Sequence, residues 1–105
     1  MSNKINARLQ KLRIELPEAP APVANYVPYI TTDNLVFISG QIPFLEGELK
    51  YPGKLGENIS VADAQKAARL CGINLLAQLK NACGGDLDRV IQAIKLNGFV
   101  NGTPD

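Results

Sequence analysis

With 105 residues, the chain has room for one compact domain and not for two. Hydrophobic residues at 46%, charged residues at 20% and a net charge of +1 are ordinary for a globular protein and supply no bulk attraction to nucleic acid or to an anionic membrane. Histidine is absent, which removes the commonest general acid-base and metal ligand together with every Ser-His-Asp or Cys-His arrangement.

Residues 3–13 read as a short amphipathic helix, with Ile5, Leu9 and Leu12 at i, i+4 and i+7 and Lys4, Arg8, Lys11 and Arg13 mostly on the other side. A membrane-surface or targeting role is the minor reading of this segment, and a helix docked on its own domain is the major one. Pro17, Pro20, Pro22 and Pro28 then fix an extended arm over residues 17–28. An arm that wraps the domain is preferred to an SH3 ligand.

Two β-rich runs follow at 29–32 and 35–39, separated by the turn dipeptide Asp33-Asn34, which predicts a hairpin. The polar stretch from Glu46 to Gly53 reads as a surface loop or edge hairpin, because Pro52 and Gly53 argue against a central strand. Residues 61–83 carry the clearest helical stripe: Val61, Ala64, Ala68, Cys71, Leu75, Leu79 and Ala82. Ser60 caps it, Asp63 stands three residues on, and Gly84-Gly85 stops it. Its stripe is expected to face a sheet made of residues 29–39 and 89–100. Residues 89–101 read as the last strand, with Val90, Ile94, Leu96, Gly98 and Val100 on one face.

If the two cysteines, Cys71 and Cys83, both lie on this helix, they are about 18 Å apart, too far for a disulfide, so they read as small core residues in a reducing compartment. They cannot make a zinc site by themselves, and no metal or cofactor is expected. No apolar run is long enough to span a membrane, and Met1 to Leu16 lacks the core of a secretory signal. The cytoplasm is the expected compartment. Glu46 and Glu48 could share one strand face as a carboxylate pair, but an exposed acidic loop is preferred.

One segment stands apart. Ser39-Gly40-Gln41-Ile42-Pro43 closes an apolar strand with a hydroxyl and a glycine that would let a ligand or another backbone approach closely, and proline then ends pairing; a simple strand-ending turn is the alternative reading of the same residues. Together with Tyr26 at the end of the proline-rich arm, the run Asn34 to Pro43 resembles the RidA/YjgF family, also known as L-PSP endoribonucleases. The later runs Gly85 to Val90 and Gly98 to Asn101 support the resemblance, which covers roughly residues 20–104. The longer N-terminal helix and the insertion-like stretch from Tyr51 to Asn58 suggest a divergent branch.

The resemblance implies an α+β, chorismate-mutase-like sheet with helices packed on one face, incomplete at the C-terminus. Residues 1–16 form the N-terminal amphipathic helical segment, and residues 17–105 a partial RidA/YjgF-like domain. It further implies a homotrimer with small-molecule substrates in the clefts between subunits, and hydrolysis of reactive enamines and imines to 2-keto acids and ammonium. Tyr26, Ser39, Gly40 and Gln41 match substrate-binding positions. The family's carboxylate-clamping arginine and water-assisting glutamate lie beyond the strand that ends this chain, and Arg8, Arg13, Arg69 and Arg89 occupy neither place, so no catalytic residue is assigned. The chain is therefore expected to be either a C-terminally truncated or frameshifted gene product or one part of a longer protein, inactive by itself. A non-catalytic binding trimer and, less favoured, an RNA-cleaving protein are the alternatives. Neutral charge and the absence of a basic stripe count against RNA, and no nucleic-acid or membrane partner is expected.

Overall fold

A computed structural model describes residues 4–21 and 25–104. The expected helix at 3–13 appears as α1, Lys4–Lys11, with residue 3 outside the described range. Nothing in its own first turn is acidic. The missing anion comes from far along the chain: the Asp88 carboxylate accepts from Lys4 N at 2.9 Å and from Ile5 N at 2.8 Å. A carboxylate at a helix N-terminus satisfies two orphan donors and opposes the positive end of the dipole. It ties α1 to the 3₁₀ turn Leu87–Arg89. We expect Asp88→Ala to cost about 1 kcal/mol of α1 docking, a roughly fivefold rise in local opening. Trypsin should then cut faster at Arg8 and Lys11, and an unchanged cleavage rate would refute the tie.

The hairpin forms as expected. Strands β1 (Tyr29–Thr32) and β2 (Leu35–Ile38) pair antiparallel with Thr32 opposite Leu35. Asp33 takes φ +51, the left-handed conformation that a two-residue hairpin turn requires. Ser39 N donates to Pro28 O at 2.9 Å, carrying the ladder one step past β2. The polar stretch is an edge hairpin: β3 (Phe44–Leu45) pairs with β4 (Glu48–Leu49) across Glu46-Gly47, both at positive φ. These are two separate two-stranded sheets.

The long helix α2 runs unbroken from Val61 to Ala82 through Gly72. Ser60 Oγ accepts from Asp63 N at 3.1 Å, and Gly84 and Gly85 both adopt positive φ beyond the C-cap Cys83. It packs on β1, β2 and β3.

Two expectations are corrected here. The buried face of α2 is Asn74, Ala77 and Gln78, not the apolar stripe. Val61 is 65% exposed, Ala68 is exposed, and Cys71, Leu75 and Leu79 are only half-buried. The packed face is thus turned roughly 100° from the predicted one, one residue's step around the helix. Two amides could go inside because backbone carbonyls meet them there. The second correction concerns residues 89–101. After the 3₁₀ turn the chain leaves Val90 in an extended conformation but forms no strand, and residues 91–100 are all exposed. Alternation describes a face, whereas a strand also needs a neighbouring edge to bond. Among the described residues its end is tied to the loop before α2, through Leu55 N to Asn101 O and Thr103 N to Leu55 O, both 2.9 Å, and through Asn101 Nδ2 to Gly53 O at 3.5 Å.

Candidate functional site

Three segments converge on a small cleft. The proline-rich arm contributes Pro20, Ala21, Tyr26 and Pro28. The chain leaving β2 contributes Gly40, Gln41, Ile42 and Phe44, and α2 contributes Gln78. Of the residues singled out in the sequence, Tyr26, Gly40 and Gln41 therefore line one space, although Gly40 lies 14 positions after Tyr26 in the chain. Pro22 lies outside the described residues.

Ser39 is not among the lining residues. Its hydroxyl donates to Val27 O at 2.6 Å, so it braces the arm beside Tyr26 from behind. Gln41 folds back on its own backbone, donating from Nε2 to Ser39 O at 2.9 Å and to Gly40 O at 3.3 Å. Those bonds stiffen the Ser39-Gly40 turn. A Cβ built on Gly40 would meet nothing within 4 Å, so the glycine keeps open space over the backbone. The cleft encloses about 20 Å³, room for a single water and not for an amino-acid-sized ligand.

The residues that pattern reading missed are Pro20, Phe44 and above all the amide pair on α2. Asn74 is 1% exposed and Gln78 2% exposed. Asn74 Nδ2 donates to Ile42 O at 3.2 Å and Phe44 O at 2.9 Å, while Gln78 Nε2 donates to Pro20 O at 2.7 Å. The available signal was two amides at i and i+4 inside an otherwise apolar stretch.

A larger cavity of about 280 Å³ lies elsewhere, between the Leu55–Val61 region and Gly102-Thr103. None of its lining residues is ionisable, so it supplies no acid, base or charge clamp. Other candidate groups are unsuited to catalysis. The Lys50 ammonium, 2.8 Å from Glu48, holds the Glu48 carboxyl below its usual range by hydrogen bonding and charge, the opposite of what a general acid needs. Burial pushes the Cys71 thiol up, away from a reactive thiolate. Among the described residues no cluster of three or more His, Cys, Asp or Glu could hold a metal, and no helix is long and apolar enough to cross a membrane.

A hairpin covered by one long helix, with a proline-rich arm closing on the turn after the second strand, defines an α+β protein of the chorismate-mutase-like class. The family model for YjgF/chorismate-mutase-like endoribonucleases matches residues 6–104, and the chain belongs to that family. It is 42% identical over 103 residues to the protein TCP17 of Trypanosoma cruzi, covering 98% of this chain and 64% of TCP17. The crystal structure of Atu1372 from Agrobacterium tumefaciens, of unknown function, superposes with a TM-score of 0.86 at 46% identity over 96% of this chain and 61% of that one. A Shewanella oneidensis protein described as a "putative endoribonuclease" gives a TM-score of 0.70 at 43% identity, covering 75% of this chain and 52% of its own. The chain thus spans less than two thirds of the length of these relatives.

Proposed function

We propose that a chain of the relatives' full length hydrolyses reactive enamines and imines to 2-keto acids and ammonium, and that it does so as a homotrimer. The observation that carries this reading is the convergence of Tyr26, Gly40 and Gln41 on one cleft, with Ser39 bracing its wall. These are the positions that the resemblance to the RidA/YjgF family assigns to the substrate. The reaction adds water across C=N and expels ammonia, and such imines already react quickly without help. An enzyme gains mainly by capture and orientation, which a shaped half-cleft with a bare glycine backbone supports. The cleft's small enclosed volume accords with a site completed by a neighbouring subunit.

The test is to generate 2-aminoacrylate with a serine dehydratase and follow pyruvate. The expected result is acceleration in proportion to the concentration of full-length protein, lost in Gly40→Val. Its absence, combined with cleavage of single-stranded RNA, would replace this reading with the nuclease activity attached to the Shewanella relative's description.

A further inference from the structure

The buried amides on α2 do more than fill space. Asn74 and Gln78 stand one turn apart on the same helix face, and each reaches a different wall of the cleft. Asn74 holds the strand-exit wall by two carbonyls, those of Ile42 and Phe44. Gln78 holds the arm wall by the Pro20 carbonyl and also forms part of the cleft lining. Pro20 has no N–H to donate, and the bonds from Ser39 to Val27 O and Pro28 O hold the other end of the arm. A buried amide is costly unless bonded, so two of them on the packed face mark a geometry held by specific partners and not by shapeless apolar contact. Asn74 Oδ1 is buried and has no partner among the described residues, so this side chain sits where its donors are needed even at the expense of its acceptor.

We propose that Asn74 and Gln78 are positioning residues that set the gap between the two walls of the cleft, and that Gln78 governs how wide a substrate side chain the cleft admits. This deepens the proposed function and rests on that cleft being the ligand site. Losing Gln78's donor frees Pro20 O, and the Pro20-Ala21 wall shifts beside Tyr26, whose own end of the arm Ser39 holds. Asn74 acts on the opposite wall and leaves the arm in place.

The experiment uses the full-length protein carrying Gln78→Met, which keeps the volume and removes the donor. Fluorotyrosine is incorporated, and the Tyr26 resonance is assigned with Tyr26→Phe. The expected result is a shifted or broadened Tyr26 resonance, with Tyr29 unmoved on its hairpin. In the imine assay KM should rise about tenfold, the lower end for a pocket misfitted by one methylene, while kcat stays within about twofold. Asn74→Leu should leave the Tyr26 resonance in place. If either variant fails to fold, the unmodified protein decides: the Gln78 side-chain amide protons should exchange slowly and shift on adding 2-oxobutyrate. An unmoved Tyr26 resonance in Gln78→Met, or fast-exchanging Gln78 amide protons, overturns the proposal even if the protein hydrolyses no imine. With an active protein, a fall in kcat at constant KM overturns it as well.

Discussion

Made alone, these 105 residues should self-associate and show no sharp, cooperative melt. Among the described residues only Ala77, Cys83 and Leu87 are buried apolar side chains. Ile91 is 98% and Phe99 96% exposed, with Ile94, Leu96 and Val100 also in solvent. Burying one such side chain is worth about 1.5–3 kcal/mol, so leaving five in water forgoes roughly 10 kcal/mol, as much as a whole domain's stability. The extended segment also leaves backbone donors and acceptors open to other chains. The radius of gyration of 14.9 Å, against about 13 Å for a compact chain of this length, describes the same looseness. Two-stranded sheets give little independent stability. Sedimentation velocity should show a broad, concentration-dependent distribution. A discrete species with a steep thermal transition would mean that the segment is covered in a way this fold does not show.

The second large effect concerns the glycine in the cleft. In a full-length, active protein, Gly40→Val should lower kcat/KM for 2-aminoacrylate about hundredfold, the order of loss when a reactant is displaced by about an ångström. The fold should tolerate it. Gly40 is exposed, carries no left-handed φ, and a Cβ there touches nothing within 4 Å. Stability should therefore stay within about 0.5 kcal/mol, as for surface substitutions generally. The measurement is the pyruvate-coupled rate beside a denaturant melt. Retained activity with retained stability would show that no ligand approaches Gly40.

The parts of this fold that local chemistry controls are legible in the sequence. Asp33-Asn34 between Thr32 and Leu35 makes the hairpin, and Ser60 with Gly84-Gly85 bounds α2 to within a residue. What depends on partners far along the chain is not legible. Asp88 capping α1 joins residues more than 80 apart, and no local pattern announces it. The apolar stripe does not mark the packed face of α2, because Asn74 and Gln78 count as polar in any stripe yet become burial sites once Ile42, Phe44 and Pro20 offer carbonyls. Residues 91–100 have the alternation of a strand, but among the described residues no strand edge bonds them. For the cleft, the bare glycine and the strand-ending turn were readable at Gly40, whereas the floor residue Gln78 was not.

The central claim is that the cleft beside Gly40 is where a small 2-keto or 2-imino acid binds. The direct measurement is an ¹⁵N-edited NMR titration of the full-length, isotope-labelled protein with 2-oxobutyrate, a stable product of the proposed reaction. Saturable shifts should appear first at the backbone amides of Gly40 and Gln41 and at residues next to Tyr26. Shifts confined to Leu55, Gly56 and Thr103, around the larger cavity, or no saturable shift at all, would contradict the account.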